Sequence, residues 1–183
     1  GPAQRDRAGP DRRSLTRWTG LIAMVACAAA MAPAQATSLS LEGTVLRATL
    51  ADGTSLAGRD LVGKELLLPA AGGVLALRIE AVQEEAGLFF YEMRAQDDAG
   101  DWHDICEPDA QGKRLAIPLG GQLADDGRFE PDAKQLTLTC TSGVLGKCLR
   151  AGYRFWISGG GVGTEALQRF QACTRLYRAD YCG

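Results

Sequence analysis

Histidine is almost absent from the chain, which has one at His103, and no two cysteines are separated by only two residues. Structural zinc sites are usually built from closely spaced Cys pairs, alone or with His. Thioredoxin-like redox centres also require the Cys-x-x-Cys spacing. The sequence therefore predicts neither a metal site nor a redox centre of that type, and it implies no cofactor.

Motifs for nucleophilic or phosphate chemistry are also lacking. No Gly-x-Ser-x-Gly motif of the serine hydrolases is present, and the glycines of residues 159–163 are not followed by the Lys of a phosphate loop. His103 beside Asp104, and the acid Asp180, are the groups that a hydrolase would use. We interpret His103 as a surface residue and Asp180 as a turn residue that bonds backbone amides or pairs with an Arg.

Long apolar runs are missing too. The run at residues 21–31 is too short to span a bilayer, which takes about 20 residues. Five arginines precede it, and Ala34-Gln35-Ala36 follows as a small-x-small cleavage site. This order is typical of a secretory signal peptide. We predict a signal peptide at residues 1–36, a mature chain that begins at Thr37, and no transmembrane span after processing.

The leader contains a second, weaker signal. Residues 24–27 (Met-Val-Ala-Cys) weakly resemble a lipobox, in which the Cys becomes the lipidated first residue. We therefore predict a periplasmic or secreted protein, with a lipoprotein anchored through Cys27 as the alternative.

Positive charge is scarce once the leader is set aside. Five of the 20 bases and two of the 22 acids precede Thr37, which leaves 15 bases against 20 acids. Nucleic-acid and anionic-membrane surfaces need clustered positive charge. The sequence therefore predicts no nucleic-acid partner.

Cysteine, in contrast, is plentiful after the leader. In an oxidising compartment such residues are disulfide partners. Five cysteines follow the leader, and because five is an odd number, either one thiol is free or its partner lies in further C-terminal sequence. We expect the chain to be a fragment at both ends. The five candidates are Cys106, Cys140, Cys148, Cys173 and Cys182.

Alternation of apolar and polar residues predicts that residues 37–134 are rich in β-strands. Residues 74–80 place Leu75, Leu77 and Ile79 on one face and Arg78 and Glu80 on the other, and residues 88–94 are expected to pair with them as a hairpin. Residues 135–141 predict a later strand. The fold class is therefore mainly β, an antiparallel sandwich or barrel-like sheet.

The pattern becomes helical after Cys140, so residues 135–183 are expected to contain two short helices. Residues 143–151 predict the first helix, which Gly152 ends, and Thr164 caps the second. A helix pair this small buries little apolar surface, so disulfides should stabilise it. Our first choice is Cys148 with Cys173 and Cys140 with Cys182, but the spacing leaves other pairings open.

Three segments, at residues 140–148, 152–156 and 171–183, together resemble the ADYC domain family of bacterial extracytoplasmic proteins. Residues 102–106 and 116–121 also look like parts of such proteins. The resemblance implies a compartment and an architecture, but no established activity. Its motif residues outside the cysteines are Gly152, Tyr153, Trp156, Arg175, Arg178, Asp180 and Tyr181.

These observations favour a non-catalytic binding or structural module of the cell envelope, with an envelope protein or a glycan as candidate partner. The alternative is an extracytoplasmic hydrolase that uses a carboxylate or His103. An enzyme should gather titratable groups with shifted pKa values in a pocket. A binding module should expose an aromatic or apolar patch, which could include Tyr153 and Trp156. A purely structural protein should show neither.

Overall fold

A computed structural model of the chain describes residues 34–70, 73–156 and 161–178. Cys27, Asp180, Tyr181 and Cys182 lie outside these ranges. The strands are β1 (Ala34–Glu42), β2 (Val45–Leu50), β3 (Ser55–Ala57), β4 (Glu65–Ala70), β5 (Gly73–Glu85), β6 (Leu88–Gln96), β7 (Trp102–Asp104), β8 (Leu115–Gly120), β9 (Gln122–Leu123), β10 (Phe129–Glu130) and β11 (Leu136–Cys140); the helices are α1 (Val144–Arg150) and α2 (Thr164–Arg178).

Nine strands form one sheet in the order β11-β8-β6-β5-β4-β1-β2-β3, with β7 also paired to β6. The pairs are antiparallel except for the short contact between β1 and β4, where Ala34 and Gln35 lie parallel to Leu66 and Leu67. Strands β9 and β10 form a separate ribbon. The predicted class, a mainly antiparallel β fold with two helices near the C-terminus, is confirmed.

The β5–β6 hairpin shows how local sequence sets the register. Glu85 pairs with Leu88, so only Ala86 and Gly87 form the turn. Both have positive φ, 50° and 72°, as a type I′ turn requires, and such turns match the twist of the two strands. The alternating residues before and after this turn therefore form the hairpin that the sequence predicts.

The sheet curls so that its β1–β2 turn lies across β6. The buried Tyr91 hydroxyl accepts a hydrogen bond from the Leu46 amide at 2.8 Å, and the Phe89 amide donates to Thr44 Oγ1 at 2.7 Å. These bonds join residues 45 positions apart in the chain. They hold the first hairpin over the central strand and give the sheet a barrel-like form.

Strands β6 and β8 are buried on both faces, and their side chains enter two different cores. In β6, Leu88 and Phe90 face the helices, whereas Tyr91 and Met93 face the interior of the curled sheet. We call the first the helix-side core: Leu88, Phe90, Leu115, Ile117, Leu119, Phe129, Leu145, Cys148, Leu149, Phe155, Phe170 and Cys173. The second is the interior core: Leu46, Ala48, Leu61, Leu66, Leu68, Leu77, Ile79, Tyr91, Met93, Cys106 and Ala116.

The predicted processing site falls within β1. Cleavage after Ala36 would remove Ala34 and Gln35, which form the recorded pairs between β1 and β4. The pairs of β1 with β2 from Ser38 to Glu42 would remain. The first strand would then stay attached to the sheet through β2.

Candidate functional site

Two disulfides form among the described residues, one in the helix-side core and one at the interior core. Cys148 bonds Cys173 and so joins α1 to α2, which is the pair expected for the two helices. Cys140, at the end of β11, bonds Cys106. The expected Cys140–Cys182 pair is therefore wrong. The reason is that β7 pairs with β6 on the same side as β8, and the Ile105 amide then donates to the Met93 carbonyl, so the next residue, Cys106, lies beside β11.

Gly146 explains much of the segment at residues 140–148. Helix α1 lies directly against the end of β11, and a Cβ at Gly146 would meet the carbonyl oxygen of Cys140. The Gly143 amide donates to that same oxygen at 2.9 Å. Both glycines therefore allow the chain to turn sharply from strand to helix, and the turn places Cys148 within the helix-side core.

The motif residues after α1 end the helix and cover the core. Gly152 has φ of 90°, and the Tyr153 amide donates to the Cys148 carbonyl at 3.0 Å, as in a Schellman cap. Tyr153 is exposed. Trp156 is half-buried and packs edge-on against Phe155, with ring centroids 4.9 Å apart. Its indole also lies next to the backbone of Gly43, so these two aromatic residues do not form one open patch.

Arg175 and Arg178 lie on the exposed part of α2. The Arg178 guanidinium fills the space beside Gly127, in the turn before β10, where a Cβ would collide with it. Gln171, two turns earlier on α2, donates to the Phe129 carbonyl at 3.1 Å. This end of α2 therefore rests on the loop that carries β10. Asp180 and Tyr181 lie outside the described residues.

A buried carboxylate, Asp109, was missed by the sequence analysis. Its side chain is 4% exposed, and its Oδ2 accepts from Arg150 Nη1 at 2.9 Å and Thr141 Oγ1 at 3.0 Å. Its Oδ1 accepts from the amides of Lys113 and Gln111. Burial acts to raise the pKa of Asp109, but these hydrogen bonds and the Arg150 charge outweigh it, so the pKa is lowered.

His103 is exposed and does not pair with its neighbour Asp104. Its Nε2 lies 2.7 Å from Asp97 Oδ2, and Asp104 faces Arg94 at 3.1 Å. The Asp101 amide and then His103 hold the pKa of Asp97 below its usual range. Because adjacent residues of a strand point to opposite faces, the His103–Asp104 pair cannot act as one unit. Within the described ranges, no group of three or more His, Cys, Asp or Glu is placed to hold a metal ion.

An apolar groove of about 530 Å³ opens between β1 and β11. It lies where β1, after pairing with β4 at Ala34 and Gln35, continues along β2 alone. Several of the residues that line it also pack against the interior core. We call it the β1–β11 groove; its lining among the described residues is Ala36, Ser38, Leu39, Ser40, Leu41, Leu68, Leu75, Leu77, Ala133, Lys134, Gln135, Leu136 and Leu138.

The composition of the β1–β11 groove is one-sided. Nine of its 13 lining residues are Leu or Ala, and Lys134 is the single charged residue among them. Leu136 is 36% exposed although it is apolar. Within the described ranges, no carboxylate lines the groove. A concave, mostly aliphatic surface with a few polar groups is the usual form of a small-ligand site.

The cysteine pairs, the glycine turn and the half-buried Trp156 give structural roles to the segments at residues 140–148 and 152–156 and to Cys173. Residues 58–183 match the family model of the ADYC domain. The chain belongs to the ADYC domain family. The match covers β4 to β11 and both helices, whereas β1, β2 and β3 precede it. The β1–β11 groove of this ADYC protein is therefore built partly from residues outside the matched region.

No curated protein and no solved structure matches the chain. In the part of the chain that the structure describes, no helix has the length and apolar character needed to cross a bilayer.

Proposed function

We propose that this ADYC protein is an exported, non-catalytic binding module of the cell envelope and that its ligand occupies the β1–β11 groove. The observation that carries the proposal is the groove itself, an open aliphatic concavity of about 530 Å³. Folded proteins seldom leave such a surface uncovered without a use for it. The mouths of barrel-like sheets are also common ligand sites.

The compartment is part of the proposal and rests on two supports. The basic leader with its apolar run and the Ala34-Gln35-Ala36 site is typical of exported chains. The two disulfides require an oxidising environment to form and persist. We place the protein in the periplasm or outside the cell, with anchoring through a lipidated Cys27 as the alternative.

Processing after Ala36 would enlarge the groove. It would remove Ala36 from the groove lining, together with Ala34 and Gln35, and so free the edge of β4 at Leu66 and Leu67. Ligand binding should therefore be measured on processed protein purified from the bacterial periplasm, with its N-terminus identified by mass spectrometry.

The hydrolase alternative gains no support from the described titratable groups. The carboxyl groups of Asp52, Asp97 and Asp126 have lowered pKa values chiefly because amides of their own turns donate to them. Burial raises the pKa of the Tyr91 phenol, which is fixed by Leu46 in the interior core. None of these residues lines the β1–β11 groove. A binding role therefore fits the groove better than acid–base chemistry does.

The test uses a substitution that partly fills the groove from its rim. Ala133 is an exposed turn residue in the groove lining, so Ala133→Trp should place an indole in the concavity without changing a strand. We expect the wild-type protein to bind the neutral apolar dye N-phenyl-1-naphthylamine with increased dye fluorescence. Ala133→Trp should weaken dye binding at least about tenfold, which corresponds to ~1.4 kcal/mol.

Ala99→Trp is the matched control, because Ala99 is also an exposed turn residue but lies outside the groove lining. It should leave dye binding unchanged, and circular dichroism should show that both variants are folded. The proposal fails if wild-type protein does not bind the dye, or if Ala133→Trp binds it as tightly as Ala99→Trp does.

A further inference from the structure

We infer that the β1–β11 groove selects a single-chain anionic amphiphile, with its alkyl chain on the leucines and its carboxylate at Lys134. This inference rests on the proposed binding function and specifies the class of ligand. It follows from the aliphatic side chains of the lining, from the single charge of Lys134, and from the position of Lys134 at the rim of the groove.

The apolar lining suits an alkyl chain. It consists of leucine and alanine side chains, and no Phe, Tyr or Trp is among the lining residues. Such a surface offers dispersion contacts along its length but no ring on which a base or a sugar face could stack. Leu68 and Leu77 are buried at 8% and 3% exposure, so the apolar surface continues into the interior core.

The charge of the lining is positive and is not compensated within it. Lys134 is the one charged lining residue, and its ammonium has no ion-pair partner among the described residues. The chain after Ala36 carries more acids than bases, so the positive charge of the groove is opposite in sign to the net charge of this part of the chain. An acidic head group would complete this site, whereas a cationic head group would be repelled.

The backbone before β11 fixes the position of Lys134 at the rim. Asp132 Oδ1 accepts from the Lys134 amide at 2.8 Å, and the Asp132 carbonyl accepts from the Gln135 amide at 3.2 Å. Lys134 is exposed, while the leucines of β4 and β5 lie deeper. A head group is therefore held at the solvent side, where it stays partly hydrated, and the chain extends inward.

The experiment compares head groups on one chain length. Dodecanoate, dodecanol and dodecyltrimethylammonium each compete with N-phenyl-1-naphthylamine for processed wild-type protein and for Lys134→Gln. We expect Lys134→Gln to weaken dodecanoate binding about fivefold, as an exposed ion pair does, and to leave dodecanol binding unchanged. Dodecyltrimethylammonium should bind more weakly than dodecanol.

A second series tests the alkyl chain. From octanoate to dodecanoate, affinity should rise about fourfold with each methylene group, because each one removes apolar area from water. Lys147→Gln is the matched control, since Lys147 is exposed on α1 and does not line the groove. It should leave the binding of dodecanoate as in the wild type.

The outcomes separate this inference from the function on which it rests. The anionic selectivity would be wrong if dodecanoate and dodecanol displaced the dye equally, or if Lys134→Gln bound dodecanoate as the wild type does. The groove would then still be a binding site. Affinity that does not change with chain length would overturn the alkyl chain as the ligand feature. Failure of the dye itself to bind would instead remove the proposed function.

Discussion

Gly146 sets the distance between helix α1 and strand β11. Glycine normally costs about 1 kcal/mol relative to alanine inside a helix, so Gly146→Ala would be stabilising if helix propensity decided the result. The new Cβ would meet the Cys140 carbonyl oxygen, which is backbone and cannot easily move. We expect the clash to win and the variant to lose about 1–3 kcal/mol in urea unfolding.

Lys147→Ala is the matched control for Gly146→Ala, because the neighbouring Lys147 is exposed. It should change the free energy of unfolding by at most about 0.5 kcal/mol. A neutral or stabilised Gly146→Ala variant would show that α1 can move away from β11, and our account of the glycine would then be wrong.

Asp109 makes the stability of the fold depend on pH. Its folded-state pKa lies below the unfolded value of about 3.9, so its contribution is present above that pH and is lost as the pH falls through the folded pKa. Asp109→Asn removes the carboxylate from Arg150, and we expect it to cost about 3 kcal/mol at neutral pH.

The measurement is urea unfolding of Asp109→Asn and wild type at neutral pH and at successively lower pH. The difference between them should shrink below about pH 4 as the wild-type carboxyl becomes protonated. Asp98→Asn, in the exposed turn after β6, is the control and should show little effect. A difference that stays constant as the pH falls would mean that the ion pair is not what Asp109 contributes.

Among the elements, α1 and α2 depend most on a covalent bond. Helix α1 has seven residues, too few to be stable alone, and Cys148–Cys173 closes a loop with a sequence separation of 25. Replacing both cysteines with alanine should lower the free energy of unfolding by about 3–4 kcal/mol. Denaturant unfolding of the double variant measures this loss.

Peptide mapping without reduction is the accompanying measurement for the bonds themselves. It should recover Cys148 linked to Cys173 and Cys106 linked to Cys140. Recovery of Cys140 linked to another cysteine would contradict the structure at this point. A double variant as stable as the wild type would show that the helices are held by the helix-side core alone.

Elements with a regular local pattern could be predicted from the sequence, and elements defined by distant contacts could not. The β5–β6 hairpin follows from alternation and from the Ala86-Gly87 turn. Strand β8 is a short strand candidate in the sequence, but its partners β6 and β11 could not be predicted, because five of its six residues are buried and show no alternation. The Cys106–Cys140 bond also escaped prediction, since it depends on how β7 turns back from β6.

At the scale of the whole molecule, the candidate site was not visible in the sequence. Its lining comes from β1, β4, β5, β11 and the turn before β11, and each Leu there looks like an ordinary core residue of its own strand. Tyr153 and Trp156 attracted attention instead, because large aromatic residues are common in binding sites. Only the curl of the sheet brings the four strands together and leaves their leucines facing an open groove.

The Cys106–Cys140 disulfide also determines what a proteolytic cut can release from the chain. Residues 106–140 form a closed loop that contains β8, β9, β10 and β11, and also Lys134. A protease that cuts once at any exposed turn in this loop leaves two fragments that remain joined through sulfur. One wall of the groove is therefore carried on a segment that a single cut cannot release, which suits the proposed location outside the cytoplasm, where proteases are present.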